Sequence, residues 1–459
     1  MGIGIGSPIF DLASLPGASR PGGGGGDTTD TFPFKIQLDL TGQTFPYTFN
    51  IRYVTAPNVT TDWGDGTSEV LNVNFTNLNH TYTDASITEP IITFGNKEEG
   101  NSLSVFRVAN TGSGSRNELK DIIQWGEGTW GSTSQSLSLF GANNLTASAT
   151  DKPIVGASTL NSGFYQAFSM NPANINDWDV SNVTQLANAF FSAESFNQDL
   201  NKWDISNVTT FGSLGFRGCT VFNGNVDNWD VSGLVVGMAS MWMFCRNFNR
   251  DISTKSISAA DSPTGIAYTA WDIGANSNIT SLANMFYQSN KIYGDFNQDI
   301  SNWNTSNITN MVQMFLNNKS FNQPIGAWDV SSVTNMKFMV ASALAFNQNC
   351  SAWNLSTSLT NVDRFGFDNS MSDDNWTDTL VGWAVSTYKN SGPYNVSSTT
   401  NNQVNFLDSK TSDTASGETY ESKYGSDWTN TGWDDSTAAR AYLVTPVEED
   451  GAGWNITGD

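Results

Sequence analysis

The chain is short of almost everything that catalysis at neutral pH draws on. It holds a single histidine, His80, and three cysteines, Cys219, Cys245 and Cys350, among 459 residues. One imidazole leaves little room for an acid–base relay, and no cysteine spacing fits a zinc site. Three thiols do not make a disulfide framework either. Cys219 and Cys245 lie one repeat apart and are expected as small apolar groups of a core. Basic residues are equally scarce, with 21 Lys and Arg against 44 Asp and Glu for a net charge of −23. That sign repels nucleic-acid phosphates and anionic membrane surfaces, so neither is expected as a partner. No apolar run reaches the length of a membrane span, and the first residues carry no readable secretory signal. No cofactor is expected.

What is present is a repeat. Trp178, Trp203, Trp229, Trp303, Trp328 and Trp353 recur every 25 or 26 residues wherever they are consecutive, with Trp271 in a disturbed interval. Phe196, Phe222, Phe248, Phe296, Phe321 and Phe346 keep the same step, each followed by Asn. After each Trp comes Asp or Asn, and then SNVT or a near copy. A self-similar period of this length predicts a solenoid, whose coils bury their apolar faces only against neighbours. Alternation around FNQDI predicts a short strand with Phe, Ile and Trp inward. The Ser/Thr of SNVT reads as a helix N-cap, because Val183, Leu186 and Phe190 follow at i, i+3, i+7. Each coil is therefore expected as strand, turn and short helix, and about eight coils at roughly 4.8 Å give a rod on the order of 40 Å long.

The run MFLNNKSFNQPIGAWDVSSVTNM and its echoes resemble the Mycoplasma-type leucine-rich-repeat domain of BspA-like bacterial surface proteins and lipoproteins. That resemblance implies a right-handed rod used on a surface for adhesion or recognition, with no catalytic residues to carry over.

Five segments follow. Residues 1–32 are a Gly-rich N-terminal anchor or linker. Their opening, GIGIGSPIFDLASLPG, is similar to N-terminal segments of tailed-phage virion proteins, which implies docking through Gly2, Ile3, Ile5, Pro8, Ile9, Phe10, Leu12, Leu15 and Pro16. Residues 33–110 read as a small β-sandwich, from β-branched and aromatic runs between turn residues. Within them WGDGT at 63–67 and HTY at 80–82 resemble the polycystic-kidney-disease-type Ig-like domain. Asp62 and Asp65 are weak calcium candidates, because the spacing does not supply five or six oxygens; carboxylates accepting backbone N–H groups fit that turn better. Residues 111–163 open the solenoid and 164–367 form it, with an insertion near 251–278. Residues 368–459 are the C-terminal cap, with a helix expected from Trp376, Leu380 and Trp383 and a second, shorter one after Asp435 and Ser436.

The fold class expected is thus β-rich with short helices, an Ig/PKD-like sandwich followed by a leucine-rich-repeat-type solenoid. Asp179, Asp204, Asp230 and Asp329 invite comparison with the paired carboxylates of glycoside hydrolases. They recur at one equivalent position per coil, however, which is what a structural role demands. The insertion, with Asp261, Ser262, Pro263, Thr264 and Tyr268, breaks the repeat and is the first candidate for recognition. The expectation is a non-enzymatic surface protein, foremost a phage fibre or decoration protein held by its N-terminus to capsid or tail proteins. Multiple copies or a homo-oligomer would present the rod to a host glycan or protein. A BspA-like bacterial adhesin at the cell surface is the alternative, and a polysaccharide-degrading virion enzyme a third.

Overall fold

A computed structural model describes residues 33–389, except 56–58, 72–75, 97–102, 108–116, 127–128, 131–138, 157–158, 213–214, 277, 290–292 and 363. The proposed anchor, Gly2 to Pro16, and the helix expected after Asp435 and Ser436 lie outside the described residues. The described chain is β-rich, with one α-helix and no closed barrel.

Two sheets form first. The strands are β1 (Phe34–Leu38), β2 (Tyr47–Thr55), β3 (Val59–Asp62), β4 (Ser68–Leu71), β5 (Thr76–Tyr82), β6 (Ile91–Asn96), β7 (Leu103–Arg107), β8 (Leu119–Gln124), β9 (Thr129–Trp130), β10 (Thr146–Ala147) and β11 (Ile154–Val155). Six of them run β10-β8-β1-β6-β3-β4, three run β5-β2-β7, and β9 and β11 form a separate parallel pair. The period-2 alternation of β1 puts Phe34, Ile36 and Leu38 into the core beside Ile92, Phe94 and Val59. Phe49 of β2 and Tyr82 of β5 are buried in the same core.

The switch to the repeats happens inside the larger sheet. β8 pairs antiparallel with β1 on one side and parallel with β10 on the other. The Asp121 carboxylate fastens that parallel pair, accepting from Thr146 Oγ1 at 2.7 Å and Ser148 N at 2.9 Å. One continuous core then runs from Phe34 to Val385.

From residue 139 onward each turn of the chain bonds to the next. Thr159, Gln185 and Thr210 form one run of parallel bridges, and Ser281, Asn310, Asn335 and Asn361 another. Between bridges the bonding alternates. Leu160, Ser162, Phe164 and Gln166 donate N–H groups to Gln185, Ala187, Ala189 and Phe191 of the following turn. Gly163, Tyr165 and Ala167 donate to the residue three back in their own turn. Half of the donors are thus drawn sideways, which corrects the helix expected after each SNVT. The i, i+3, i+7 spacing of Val183, Leu186 and Phe190 belongs to consecutive tight turns, because an α-helix needs every N–H for its own i−4 carbonyl. Each bend needs a left-handed residue, and pairs recur four apart: Ser162 and Gln166 at φ 57° and 55°, Asn188 and Ser192 at 57° and 54°, Phe338 and Ser342 at 55° and 51°.

The FNQ segments are likewise not strands. Asn171, Asn197, Asn223, Asn249, Asn297, Asn322 and Asn347 form a ladder in which each Oδ1 accepts the N–H of the equivalent residue one turn on, at 2.7 to 3.0 Å. Ser372 N ends it. The Gln of the motif adds a second contact, as Gln323 Nε2 donates to Asn297 O and Oδ1 at 2.8 Å. Thr309, Thr334 and Thr360 make a parallel rail that starts at Thr280 O, each hydroxyl donating to the threonine carbonyl one turn before it.

The apolar side chains fill the interior at the same pitch. Phe196, Phe222, Phe248, Phe296, Phe321 and Phe346 stack with centroids 5.6 to 6.3 Å apart. Trp178, Trp203, Trp229, Trp303, Trp328 and Trp353 are all buried. Except at Trp178, each of these indoles reaches a carbonyl of the preceding turn, as Trp203 Nε1 to Ile175 O at 2.7 Å and Trp353 Nε1 to Ile325 O at 3.0 Å. Trp271 is one of the series, donating to Val226 O at 3.0 Å.

The stack ends at α1 (Asp373–Lys389), the helix expected from Trp376, Leu380 and Trp383. Ser372 caps it, its Oγ accepting Asn375 N at 3.3 Å. The helix supplies by side chain what another turn would supply by backbone. Thr379 Oγ1 accepts Cys350 N at 3.0 Å, Ser386 Oγ accepts Leu355 N at 2.7 Å, and Trp383 Nε1 donates to Cys350 O at 3.2 Å.

Candidate functional site

The break in the repeat near 251–278 is a β-hairpin, β12 (Lys255–Ile257) paired antiparallel with β13 (Tyr268–Ala270). Its place in the chain is defined by the repeat itself. Removing Lys255–Ala270 joins Thr254 to Trp271 and leaves FNRDISTW, the spacing of FNQDISNW at 296–303. The two ends already touch, with Thr254 Oγ1 donating to Trp271 O at 2.9 Å. The stack therefore passes beneath the hairpin without interruption.

The hairpin folds back over the two preceding turns. The Tyr268 hydroxyl donates to Asn228 O, and Asn228 Nδ2 reaches Asp261 O at 3.4 Å. The loop is tied internally, with Ser258 Oγ on Asp261 Oδ2 at 2.6 Å and Ser262 Oγ bonded to Thr264 Oγ1 at 2.9 Å. Beneath it lies a cleft of about 180 Å³, lined by Trp203, Asp204 and Ile205 of one turn, Asp230 of the next, and Pro263, Ile266 and Tyr268 of the hairpin. A wider, more polar recess of about 500 Å³ lies between Lys202, Asn228, Asp261 and Ser262. The sequence-derived residues Asp261, Ser262, Pro263, Thr264 and Tyr268 thus border one region. Sequence reasoning missed its other wall, because Asp204 and Asp230 read as ordinary repeat positions.

The cleft is electronegative. Asp204 Oδ1 accepts Ser206 N at 3.1 Å and Ser206 Oγ at 2.6 Å, while Asp230 Oδ1 accepts Ser232 N at 3.0 Å. Among the described residues no cation pairs with either. The nearby lysines are engaged elsewhere, Lys202 with Asp177 at 2.7 Å and Lys255 with Asp251 and Asp227 at 3.0 and 3.4 Å. Burial, with Asp230, Asp204 and Asp227 adding in the same direction, pushes the Tyr268 phenol up to about 12.

The repeat carboxylates close Asx turns. Asp179 Oδ1 accepts Ser181 N at 3.0 Å and Ser181 Oγ at 2.6 Å, and Asp329 Oδ1 accepts Ser331 N at 2.9 Å. The Ser181 hydroxyl and amide hold the Asp179 carboxyl below its ordinary value, against a smaller opposing effect of burial. Asn304 fills the same role for Ser306 N, at 3.2 Å. In the SNVT turn the cap is therefore the preceding Asp or Asn, which corrects the assignment of that role to Ser or Thr.

Asp62 and Asp65 have similar duties. Asp62 Oδ1 accepts Gly64 N at 2.9 Å, and Asp65 Oδ1 accepts Thr67 N at 3.0 Å and Thr67 Oγ1 at 2.6 Å. The other oxygen of Asp65 lies 2.7 Å from His80 Nε2. Burial raises the Asp65 carboxyl, but the bonds from Thr67 and His80 outweigh it and the net shift is downward. The imidazole stacks on Trp63 at 4.4 Å, and the Tyr82 hydroxyl closes the network on Trp63 O at 2.9 Å. Among the described residues no group of three His, Cys, Asp or Glu is placed to hold a metal.

Cys219, Cys245 and Cys350 are free and buried. Cys219 Sγ donates to Phe190 O and Cys245 Sγ to Phe216 O, the same bond one turn apart. Burial pushes the Cys219 and Cys350 thiols up, away from nucleophilic thiolate. No helix among the described residues is long and apolar enough to cross a membrane.

Residues 158–275 and 264–378 each match the family described as Mycoplasma protein of unknown function, DUF285. No curated protein and no solved structure matches the chain.

Proposed function

We propose that this chain is a non-enzymatic surface protein whose two N-terminal sheets form an Ig-like, PKD-type sandwich and whose stacked turns form a leucine-rich-repeat-type solenoid carrying one recognition element, the hairpin Lys255–Ala270. The observation that carries this reading is the insertion of that hairpin into a stack whose asparagine ladder runs on from Asn249 to Asn297 beneath it. The Asn ladder and the Thr rail of the other turns bond to their neighbours, whereas the hairpin adds nothing to them and borders a cleft instead. The Mycoplasma-type family match supports a surface repeat protein. A non-enzymatic role is supported by the Asx-turn duties of Asp179, Asp204, Asp230 and Asp329.

For the carrier we keep a phage virion, with Gly2–Pro16 docked on a capsid or tail protein and several copies presenting the rod together. The bacterial cell surface is the second reading, favoured by the family match. Imaging of the native particle or cell fraction with an N-terminal label decides between them. Label buried against a virion protein supports the first, and label on a cell envelope the second.

The hairpin assignment has its own test. A variant lacking Lys255–Ala270 is expected to fold, with a melting temperature within about 5 °C of the parent. It is also expected to lose attachment of the particle or cell to its target surface. A variant that folds and still attaches would remove the hairpin from the function.

A further inference from the structure

We propose that the cleft beneath the hairpin receives a lysine side chain presented by a partner protein. This rests on the reading of the hairpin as the recognition element and adds the chemistry of what it recognises. Two features of the cleft set that chemistry. Its floor and hairpin wall are apolar, built from Trp203, Ile205, Pro263, Ile266 and the ring of Tyr268. Its other side carries Asp204 and Asp230, at equivalent positions of adjacent turns and about 5 Å apart by the strand-spacing rule. A ligand that satisfies both is an apolar stem ending in a cation.

The hydrogen bonds already made discriminate between cations. Asp204 Oδ1 holds two bonds from Ser206 and Asp230 Oδ1 holds one from Ser232, leaving one oxygen of each carboxylate for a ligand. A guanidinium fork seeks both oxygens of one carboxylate. An ammonium is compact, carries three rotatable donors and ends a four-carbon stem, so it can bridge single oxygens of two carboxylates. A divalent metal ion would need six or more oxygens and would gain nothing from an apolar floor. The field fits as well. No cation among the described residues neutralises Asp204 or Asp230, and the chain as a whole, at −23, steers positively charged surfaces toward it. Ile266, 70% exposed at the hairpin tip, offers an apolar rim on which a partner can close.

The chain itself provides conservative variants. Asn304 occupies the repeat position of Asp204 and Asp230 and still closes its turn, so Asp204→Asn with Asp230→Asn removes charge and leaves the fold. Asp179→Asn with Asp329→Asn makes the same change in other turns. The full chain is titrated with Nα-acetyl-lysine methylamide, its Nε-acetylated form, the arginine counterpart and n-butylammonium, following the Trp203 indole resonance by NMR. The lysine probe is expected to bind in the millimolar range, at least about tenfold more tightly than the Nε-acetylated or arginine probes, and to lose about tenfold in the Asp204/Asp230 variant but not in the Asp179/Asp329 variant. Equal binding of the Nε-acetylated probe, unchanged binding in the Asp204/Asp230 variant, tighter binding of n-butylammonium than of the lysine probe, or no saturation by any probe would each overturn the proposal. The hairpin deletion reports separately on the wider reading. Attachment that survives the deletion defeats the recognition role even where the amine binds, and failed titration with lost attachment defeats only the lysine.

Discussion

At the residue scale, one side chain reports on the hairpin. Tyr268 keeps its proton because the docked phenol is half-buried, donates to Asn228 O and faces three carboxylates. The sign follows from linkage. A docked hairpin favours the neutral phenol, so docking is at full strength below the ordinary tyrosine value near 10 and weakens as pH rises through the window from there to about 12. Phenolate absorbance of the parent minus that of Tyr268→Phe is expected to show one group titrating near 12. A difference curve centred near 10 would mean that the hairpin stands away from the stack. The residue scale is also where the sequence was most opaque. The Asn of each Phe-Asn pair marked the period plainly, yet its use of one oxygen to accept the next turn's N–H has no counterpart in hydropathy.

At the scale of one turn, the sequence announced the period and the buried aromatics but not the backbone between them. Val183, Leu186 and Phe190 carry a spacing shared by an α-helix and by consecutive tight turns, and hydropathy alone does not separate the two. The distinguishing signal was present in the polar residues. Ser162 with Gln166, Asn188 with Ser192 and Gly218, and Asn317 with Ser342 sit at left-handed positions, and Ser, Asn and Gly at such steps favour bends over helix. The ladder makes a quantitative expectation here. Asn297→Ala removes the acceptor for Asn322 N and one of the two acceptors of Gln323 Nε2, which keeps Asn297 O, so the part-buried Asn322 N is left without its partner. The expected loss is about 1–3 kcal/mol of unfolding free energy. Denaturant unfolding of Asn297→Ala against an exposed control such as Thr264→Ala measures it, and a difference near zero would mean that water replaces the ladder.

At the scale of the whole molecule, the sheets, the stack and α1 share one core, and the chain guards the open end of that core. The helical spacing of Trp376, Leu380 and Trp383 was legible; the substitution of Thr379, Trp383 and Ser386 for a missing turn was not, since it depends on register. Trp383 packs 6.1 Å from Trp353 and bonds Cys350 O, so Trp383→Ala is expected to cost about 3–5 kcal/mol and to uncover the last turn. Light scattering after size exclusion is expected to show self-association in that variant, because an exposed row of backbone donors and acceptors recruits further chains. A monomer indistinguishable from the parent would show that α1 is not the stopper.

The asparagine ladder carries one more implication. Each rung asks of its neighbour only an N–H at the right height and offers the same oxygen in return, so a rung cannot distinguish the neighbour it has from a copy of it. Length is therefore quantised. Duplicating one turn, for instance the segment from Asn297 to Phe321, would move α1 outward by a single strand spacing, about 5 Å, and ask no change of either end. Gene duplication can thus lengthen this protein as a ruler is lengthened, by whole graduations.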